Sequence, residues 1–214
     1  YMTRSGTIDS DVNPVLWAIG WYWLYVFIAG PVLGMAAIFA LEGALGSLVL
    51  FLGFFGGPIL GVAGLVYVRM NVSSVRESGS REVMDNAAEV ARLDGDDNET
   101  FSLVTNTGDS LPLLPHPNRR VATLVVGDAL LLVHDSAVVN LPGLKWNVGD
   151  STNEFYYDQI SSVNYDPNKK SPGGTFQVNQ SDGNHQSWDT VSDAKEALSS
   201  VQDRIRAYKT KVSH

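Results

Sequence analysis

The sequence predicts a two-part protein: a membrane-spanning α-helical hairpin, followed by a polar α+β domain in which a curved antiparallel sheet is capped by a C-terminal helix. Three observations support this fold class. Between Val12 and Val68, Glu42 is the only formally charged residue in 57 positions. From Thr100 onward, short β-type segments alternate with turn signals. The segment Val191–Val212 then carries apolar residues at steps of three and four, which is the period of an amphipathic helix.

Composition bounds the function. The 214 residues carry a formal charge of −8, with 16 Asp, 7 Glu and only 6 Lys. This balance resembles the proteins of salt-loving (halophilic) archaea, although an ordinary acidic protein fits it as well. The absence of Cys excludes disulfides, thiol nucleophiles and Cys-based metal sites. The net negative charge argues against nucleic acid as a partner, because binding phosphates requires a basic face.

Two uncharged runs predict the hairpin. Pro14–Leu41 has 28 residues and Leu48–Val68 has 21, and about 20 apolar residues cross the hydrocarbon core of a bilayer. The glycine-bearing segment Glu42–Ser47 between them fits a tight helix–helix turn. We therefore assign residues 1–13 to an N-terminal tail and residues 14–69 to two transmembrane helices.

Aromatic residues cluster where both spans would meet one membrane surface. Such rings favour the headgroup boundary, because they have an apolar body and a polar tip. A pigment or quinone pocket is the alternative interpretation, but no nearby His or charged partner supports it. The residues are Trp17, Trp21, Tyr22, Trp23, Tyr25 and Tyr67.

Basic residues predict the orientation. Arg4 precedes the hairpin, whereas Arg69, Arg76 and Arg81 follow it, and the turn carries only Glu42. The positive-inside rule then places both termini and the polar domain in the cytoplasm of a multi-pass cell-membrane protein.

Glycines in the hairpin indicate close helix packing. Ten of the 20 glycines fall between Gly20 and Gly64, and small residues four apart let helix backbones approach closely in a membrane. They could pack the two spans of one hairpin, or bind a second copy or another membrane protein, for which Gly56 and Gly64 would leave room. The residues with this spacing are Gly30, Gly34, Gly53, Gly57 and Gly61.

Residues 70–99 form a predicted connector. Its apolar positions within Ser80–Leu93 have a helical period, so this helix either extends the second span as a stalk or lies on the polar domain. Asp94–Glu99 is interpreted as a solvated acidic linker, because it lacks the residue order of a calcium-binding loop.

Residues 100–214 form the predicted sheet domain. The turn Gly127-Asp128 and the turn Ser181–Asn184 each separate two strand-like segments, and Val138–Trp146 is predicted to be less regular. Thr190 or Ser192 is expected to cap the terminal helix. The strand candidates are 101–104, 121–126, 129–133, 154–157, 160–165, 175–179 and 185–188.

Part of this domain resembles the prokaryotic pleckstrin-homology-like (PH-like) domains, some of which lie beside a transmembrane pair. The resemblance covers about residues 119–210 and implies a curved sheet or open barrel capped by a C-terminal helix. It departs from the family at Leu111–Pro117 and Val138–Gly149, and it implies no ligand. The central strand pattern is matched by Tyr157, Asp158, Ile160 and Val163. The matching runs are TLVVGDALLLVHD (123–135), FYYDQISSVNYD (155–166), GTFQVNQSDGNHQSW (174–188) and DAKEALSSVQDRI (193–205).

Motifs for chemistry are absent from the sequence. The four His residues lack metal-binding spacing, no Ser lies in a G-x-S-x-G elbow, and Lys169–Gly174 lacks the order of a phosphate-binding loop. We therefore expect no catalytic residues, cofactor, metal or small-molecule substrate. One hypothesis concerns charge: Arg119, Arg120, Lys169 and Lys170 could form a patch for anionic membrane lipid, although solvated loop charge is the favoured explanation.

These features favour a non-enzymatic, membrane-anchored scaffold or adaptor that presents its cytoplasmic domain for protein–protein interaction. The alternative is a structural subunit of a larger membrane assembly, either a membrane complex or a virion. A membrane-bound enzyme is disfavoured, because catalysis within a bilayer needs ionisable groups there and the hairpin offers only Glu42.

Overall fold

The computed structural model describes residues 4–41, 43–91, 98–168 and 173–212. Glu42, the acidic stretch 94–97 and the lysine pair Lys169 and Lys170 therefore lie outside the described residues. The N-terminal half comprises a strand and four helices: β1 Arg4–Thr7, α1 Pro14–Trp21, α2 Trp23–Ala40, α3 Ala44–Phe51 and α4 Gly57–Ala91. A π-helical turn, Leu52–Gly56, joins α3 to α4. The C-terminal half comprises β2 Glu99–Thr107, β3 Asn118–Val126, β4 Leu130–Asn140, β5 Lys145–Val148, β6 Thr152–Tyr156, β7 Ile160–Pro167, β8 Gly174–Gln180, β9 His185–Thr190 and α5 Lys195–Val212.

As predicted, two helices are long and apolar enough to cross a membrane, but the first begins at Trp23 and not at Pro14, because Pro14–Trp21 forms the separate helix α1. One is Trp23–Ala40, and the other is the 48-residue helix Ala44–Ala91, which contains the π-helical turn. The side chain of Asn13 caps α1 by accepting hydrogen bonds from the amides of Val15 and Leu16. We call α2, α3 and the first part of α4, up to Leu65, the apolar hairpin.

The predicted connector helix is part of α4, which both extends the second apolar helix and lies on the sheet domain. It continues the second apolar helix without interruption and then packs on the sheet domain. Its buried positions recur every three or four residues, which places them on one face of the helix. Beyond the apolar hairpin these positions are Val68, Val72, Val75, Gly79, Val83 and Ala87.

The strands form two antiparallel sheets. Sheet A has the order β1-β5-β4-β3-β2, with β6 also paired to β4, and sheet B has the order β7-β8-β9. Strand alternation gives sheet A two apolar faces. On one face, Val121 and Val139 pack with α4, and on the other, Ala122 and Leu124 face sheet B and α5. The prediction of an antiparallel-sheet domain with a C-terminal helix is confirmed.

The N-terminal tail is part of this domain, whereas the sequence predicted a separate tail. Strand β1 pairs with β5, with Gly6 opposite Trp146. Ile8, which follows the strand, is only 5% exposed. Burial of this side chain and the backbone pairing together hold the segment on the edge of sheet A.

Two further expectations need correction. The region predicted to be irregular forms the end of β4 and all of β5, joined at Leu141–Leu144. Helix α5 is capped by Asp193, whose carboxylate accepts a hydrogen bond of 3.0 Å from the amide of Lys195. Thr190 instead accepts from the amide of Ser192 at 3.1 Å, which fixes the turn before the helix.

Candidate functional site

The five glycines predicted to mediate helix packing face the opposite helix of the same hairpin. A Cβ added at Gly30 would lie 2.6 Å from the Gly53 carbonyl oxygen and 2.6 Å from the Gly57 Cα. At Gly34 it would lie 3.3 Å from the Gly53 Cα, and at Gly61 it would lie 2.8 Å from the carbonyl oxygen of Trp23. Gly30 and Gly61 therefore accept only glycine at the observed helix separation, whereas an added carbon at Gly34 would make a tight contact.

The additional small residues divide between two environments. A Cβ at Gly64 would lie 2.7 Å from the Gly20 nitrogen, so this pair packs α1 against α4, whereas a Cβ at Gly56 would meet nothing within 4 Å. We call Gly30, Gly34, Gly53, Gly57 and Gly61 the glycine stripe. These residues pack the two helices of one hairpin together. A second membrane protein would have to contact another surface, such as that around the exposed rings of Phe51, Phe54 and Phe55.

The junction between the apolar hairpin and the sheet domain is closed by tryptophans. Trp17 is 1% exposed, and its indole N–H donates a 2.7 Å hydrogen bond to the Leu141 carbonyl oxygen. Trp21 packs against it edge-to-face, with ring centroids 6.1 Å apart. The sequence placed both rings at the headgroup boundary, but they are core residues. Tyr22 and Tyr25 remain exposed.

The loop Leu111–Pro117 lies at the same junction. The indole N–H of Trp23 donates to the Pro112 carbonyl oxygen at 3.1 Å. Leu114 is buried in the α4-facing core, whereas Leu113 has a φ of 67° and is 61% exposed. The loop therefore presents an apolar side chain beside the start of α2.

The proposed lipid patch is divided by the sheet. Arg119 and Arg120 are neighbours on β3, so their side chains point to opposite faces. Arg119 faces α4, while Arg120 borders a separate polar cleft with Asp135 and Asp189. These two arginines do not form one surface, and the two lysines of the patch lie outside the described residues.

Arg119 instead lines a cleft of about 460 Å³ between α4 and strands β2 and β3, which we call the α4 cleft. Among the residues that the structure describes, Glu77 is the only carboxylate that lines it, and this side chain forms an ion pair with Arg81. Four serines and the apolar side chains of Met84 and Val104 form most of the remainder of the wall. The lining residues are Ser73, Arg76, Glu77, Ser80, Arg81, Met84, Ser102, Val104, Arg119 and Ser192.

Two half-buried guanidinium groups meet in this cleft. Arg119 donates to Asn106 Oδ1 at 3.3 Å and to Ser80 Oγ at 3.4 Å, and Arg76 donates to the His116 carbonyl oxygen at 3.5 Å. Burial lowers the pKa of both arginines, and the charge of Arg76 lowers the pKa of Arg119 further. Within the described residues, neither forms an ion pair, and the buried Nε of Arg76 has no hydrogen-bond partner.

Sequence reasoning used Arg76 only to orient the hairpin. A usable signal was present, because Arg69, Ser73, Arg76 and Ser80 follow one another at helical spacing on α4. That Arg119 would face this row could not be read from the sequence, because the pairing depends on how the sheet docks on α4.

His134 is the one buried histidine among the described residues. Its Nδ1 lies 2.9 Å from Thr152 Oγ1. Burial lowers the pKa of His134, whereas the charge of Asp135, a hydrogen bond to the Gly149 backbone and the charge of Asp150 partly oppose this. A cluster of three or more His, Asp or Glu residues suited to a metal does not occur in the ranges described.

The lowered pKa predicts that acid destabilises the fold. As the pH falls, His134 takes up a proton near pH 6.5 in the unfolded chain but only at a lower pH in the folded chain. The unfolded state therefore binds more protons, and the free energy of unfolding falls as the pH drops below 6.5. We expect His134→Gln, which is neutral throughout, to lose less stability than the parent between about pH 7 and pH 5. Thermal unfolding of both proteins across this range measures the difference, and parallel curves would contradict the prediction.

Similarity to known proteins is limited to solved structures. No protein-family model and no curated protein matches the sequence. Among solved structures, the C-terminal domain of an unknown protein from Leishmania infantum aligns with 58% of this chain and 93% of its own, at 12% identity and a TM-score of 0.34. A Vav1 structure with an allosteric inhibitor aligns with 88% of this chain but only 32% of its own, at 11% identity and a TM-score of 0.30. Likenesses at such TM-scores carry no argument about this chain.

Proposed function

We propose that this protein is a non-enzymatic membrane-anchored scaffold, which holds a PH-like domain at a fixed height and orientation on the cytoplasmic membrane surface for another protein to bind. The observation that carries the proposal is the single helix shared by anchor and domain. Helix α4 has 35 residues and is therefore about 50 Å long, and it runs from the apolar hairpin across sheet A.

A shared core supports the rigid connection. Trp17 and Trp21 from α1 pack in one apolar cluster with Val68 and Val75 from α4 and with Val139 from sheet A. A domain tethered by a flexible linker would bury none of these side chains against its anchor. The domain is thus expected to move with the hairpin rather than independently of it.

The surface of the hairpin supports its placement in a membrane. Only 6% of the 18 residues of α2 is buried, and side chains such as Leu33 and Phe39 are 68% and 92% exposed. Apolar surface of this extent is unfavourable in water, so a lipid or protein environment must cover it. The cytoplasmic location of the domain follows from the positive-inside rule applied to Arg4, Arg69 and Arg76.

The PH-like assignment rests on the arrangement of the domain. Two antiparallel sheets enclose one core, and α5 packs into it through Ala197 and Val201. Three positions of the PH-like strand pattern are buried there: Tyr157, Ile160 and Val163. Their burial supports the structural role that the resemblance gives to them.

The outer face of sheet B is the proposed protein-binding surface. Its nine outward side chains are exposed or half-buried, and several bond to each other: Thr175 to Asp189 and Gln177 to Asn179, each at 2.8 Å. We call this face the polar platform. It comprises Ser162, Asn164, Asp166, Thr175, Gln177, Asn179, His185, Ser187 and Asp189.

The free edge of sheet B is a less suitable binding surface. Side chains of α5 already bind carbonyl oxygens of β7: Lys209 donates to Ile160 at 3.3 Å, and Gln202 donates to Val163 at 3.2 Å. These contacts obstruct pairing with a further strand. A partner is therefore expected to bind the platform face.

Site-specific photo-crosslinking tests the proposal. A benzophenone amino acid at Asn164 on the platform should give one discrete crosslinked protein in native membranes, while the same group at the exposed Glu196 on α5 should not. Gln177→Arg should remove the product from Asn164. Equal products from both positions, or none from Asn164, would overturn the platform assignment. Purification as a stable particle of several proteins would favour the alternative, a structural subunit of a larger assembly.

A further inference from the structure

We infer that the α4 cleft binds a phosphate-class oxyanion, held between Arg76 on α4 and Arg119 on β3. This site is distinct from the polar platform, and it would remain if the platform had no protein partner. The inference rests on charge, on unused hydrogen-bond donors and on the position of the cleft.

The charge of the cleft is opposite to that of the protein. The chain has a net charge of −8, yet three arginines and one carboxylate line this cavity. Glu77 is paired with Arg81, which leaves the charges of Arg76 and Arg119 uncompensated by any described ion pair. Two like charges that repel each other in a half-buried site are unfavourable unless an anion lies between them.

Both guanidinium groups have donors to spare. A guanidinium carries five N–H donors, but the hydrogen bonds of Arg76 and Arg119 are between 3.3 and 3.5 Å long and all go to neutral oxygens. The Nε of Arg76 is buried and makes none within the described residues. These long contacts therefore use only part of the donor capacity of the two guanidinium groups.

The lining matches a tetrahedral oxyanion. Arginine forks bind phosphate oxygens in pairs of parallel hydrogen bonds, and hydroxyl groups supply further donors. Four serines line the cleft: Ser73, Ser80, Ser102 and Ser192. A volume of about 460 Å³ far exceeds the roughly 30 Å³ of a water molecule, so a phosphate ester fits.

The position of the cleft allows two sources of phosphate. Arg69 lies on the same face of α4 as Arg76, seven residues or about 10 Å nearer the apolar hairpin. This row of cations would lead from the lipid headgroups toward the cleft. The anion is therefore either a phospholipid headgroup or a soluble phosphate compound.

The test uses the full-length protein in neutral detergent and in vesicles. The disrupting variant is Arg76→Gln/Arg119→Gln, and the matched control is Arg120→Gln, which removes the adjacent charge from the opposite face of β3. Inorganic phosphate is titrated by calorimetry and by thermal shift, with chloride at equal ionic strength as reference. Lipid binding is measured by native mass spectrometry after reconstitution in phosphatidylcholine with or without phosphatidylglycerol.

We expect the disrupting variant to lose at least about tenfold in affinity, since one charge-assisted hydrogen bond corresponds to roughly that factor. A response to inorganic phosphate identifies a soluble ligand. A response to phosphatidylglycerol alone identifies a lipid headgroup. If neither probe binds, or if Arg120→Gln loses as much as the double variant, the inference is overturned.

A second variant guards against misfolding. Arg76→Lys/Arg119→Lys keeps both charges but removes the planar forks, so it should fold as the parent does and bind about tenfold more weakly. Parental affinity in this variant would overturn the role of the two arginine forks. The platform crosslink should be unchanged in the parent and in both double variants, which separates this site from the proposed scaffold function.

Discussion

Replacing Gly57 with alanine is expected to lower the free energy of unfolding of the hairpin by about 1–3 kcal/mol, the usual cost of overpacking a close contact. The added methyl carbon would lie 2.7 Å from the Gly30 Cα and 3.0 Å from the Val26 carbonyl oxygen. Both are backbone atoms, which cannot move aside by changing rotamer. The two helices must therefore separate locally, and neighbouring contacts such as that between Gly34 and Gly53 loosen with them.

The adjacent Gly56 provides the matched control. A methyl group there meets nothing within 4 Å, so Gly56→Ala should change stability by no more than about 1 kcal/mol, the difference in helix propensity. Reversible unfolding in mixed detergent micelles measures both variants. Equal stabilities for the two would show that Gly57 does not lie at a close helix–helix contact.

The same pair of variants distinguishes the two roles of the glycine stripe. If the stripe packs a single hairpin, Gly57→Ala destabilises the monomer and leaves any oligomer formed through other surfaces intact. If the stripe instead binds a second copy, the variant shifts the oligomeric state at unchanged monomer stability. Crosslinking in micelles alongside the unfolding measurement reports both quantities.

Replacing Trp17 with alanine is expected to cost about 3–5 kcal/mol, as for other large aromatic side chains in cores. Trp17 is 1% exposed, packs on Trp21 and donates to the Leu141 carbonyl oxygen at 2.7 Å. Its removal opens a cavity where α1 meets sheet A. We therefore expect the sheet domain to separate from the hairpin more readily, with faster amide hydrogen exchange around Leu141.

Two controls define the cause of this loss. Trp17→Phe keeps most of the apolar contact but removes the donor to Leu141, so a smaller cost of about 1–3 kcal/mol is expected. Tyr25→Ala removes a ring that is 66% exposed and should have little effect on the domain. If Tyr25→Ala and Trp17→Ala had equal effects on unfolding and exchange, Trp17 would be a headgroup anchor like Tyr25, and its assignment to the core would be wrong.

Much of the local structure could be predicted because its signals are local. The length of the uncharged runs gives the two apolar helices, and alternation around the Ser181–Asn184 turn gives β8 and β9. The stripe from Val191 to Val212 likewise gives α5, which begins at Lys195 once Asp193 caps it. Each of these features depends on residues only a few positions apart.

The candidate site was predicted only in part. Arg119 was selected for its charge, but its partner Arg76 was not, because the two are 43 positions apart in the sequence. Arg120 was grouped with Arg119, but neighbouring side chains on a strand point to opposite faces. In the structure, α4 covers the face of Arg119, and Arg120 lies on the other face. Charge alone does not specify which side of a sheet becomes a cavity.

The sequence by itself determined that an apolar hairpin precedes a polar sheet domain, because hydrophobicity and period act over short stretches of chain. Tertiary structure alone decided how the parts join. It placed β1 on the edge beside β5, about 140 positions away in the sequence, and it buried Trp17 under Leu141. In the folded protein the glycine stripe also faces the opposite helix of its own hairpin and not an outer surface. Such choices depend on which distant surfaces fit together at close range, and apolar or glycine spacing is compatible with several of them.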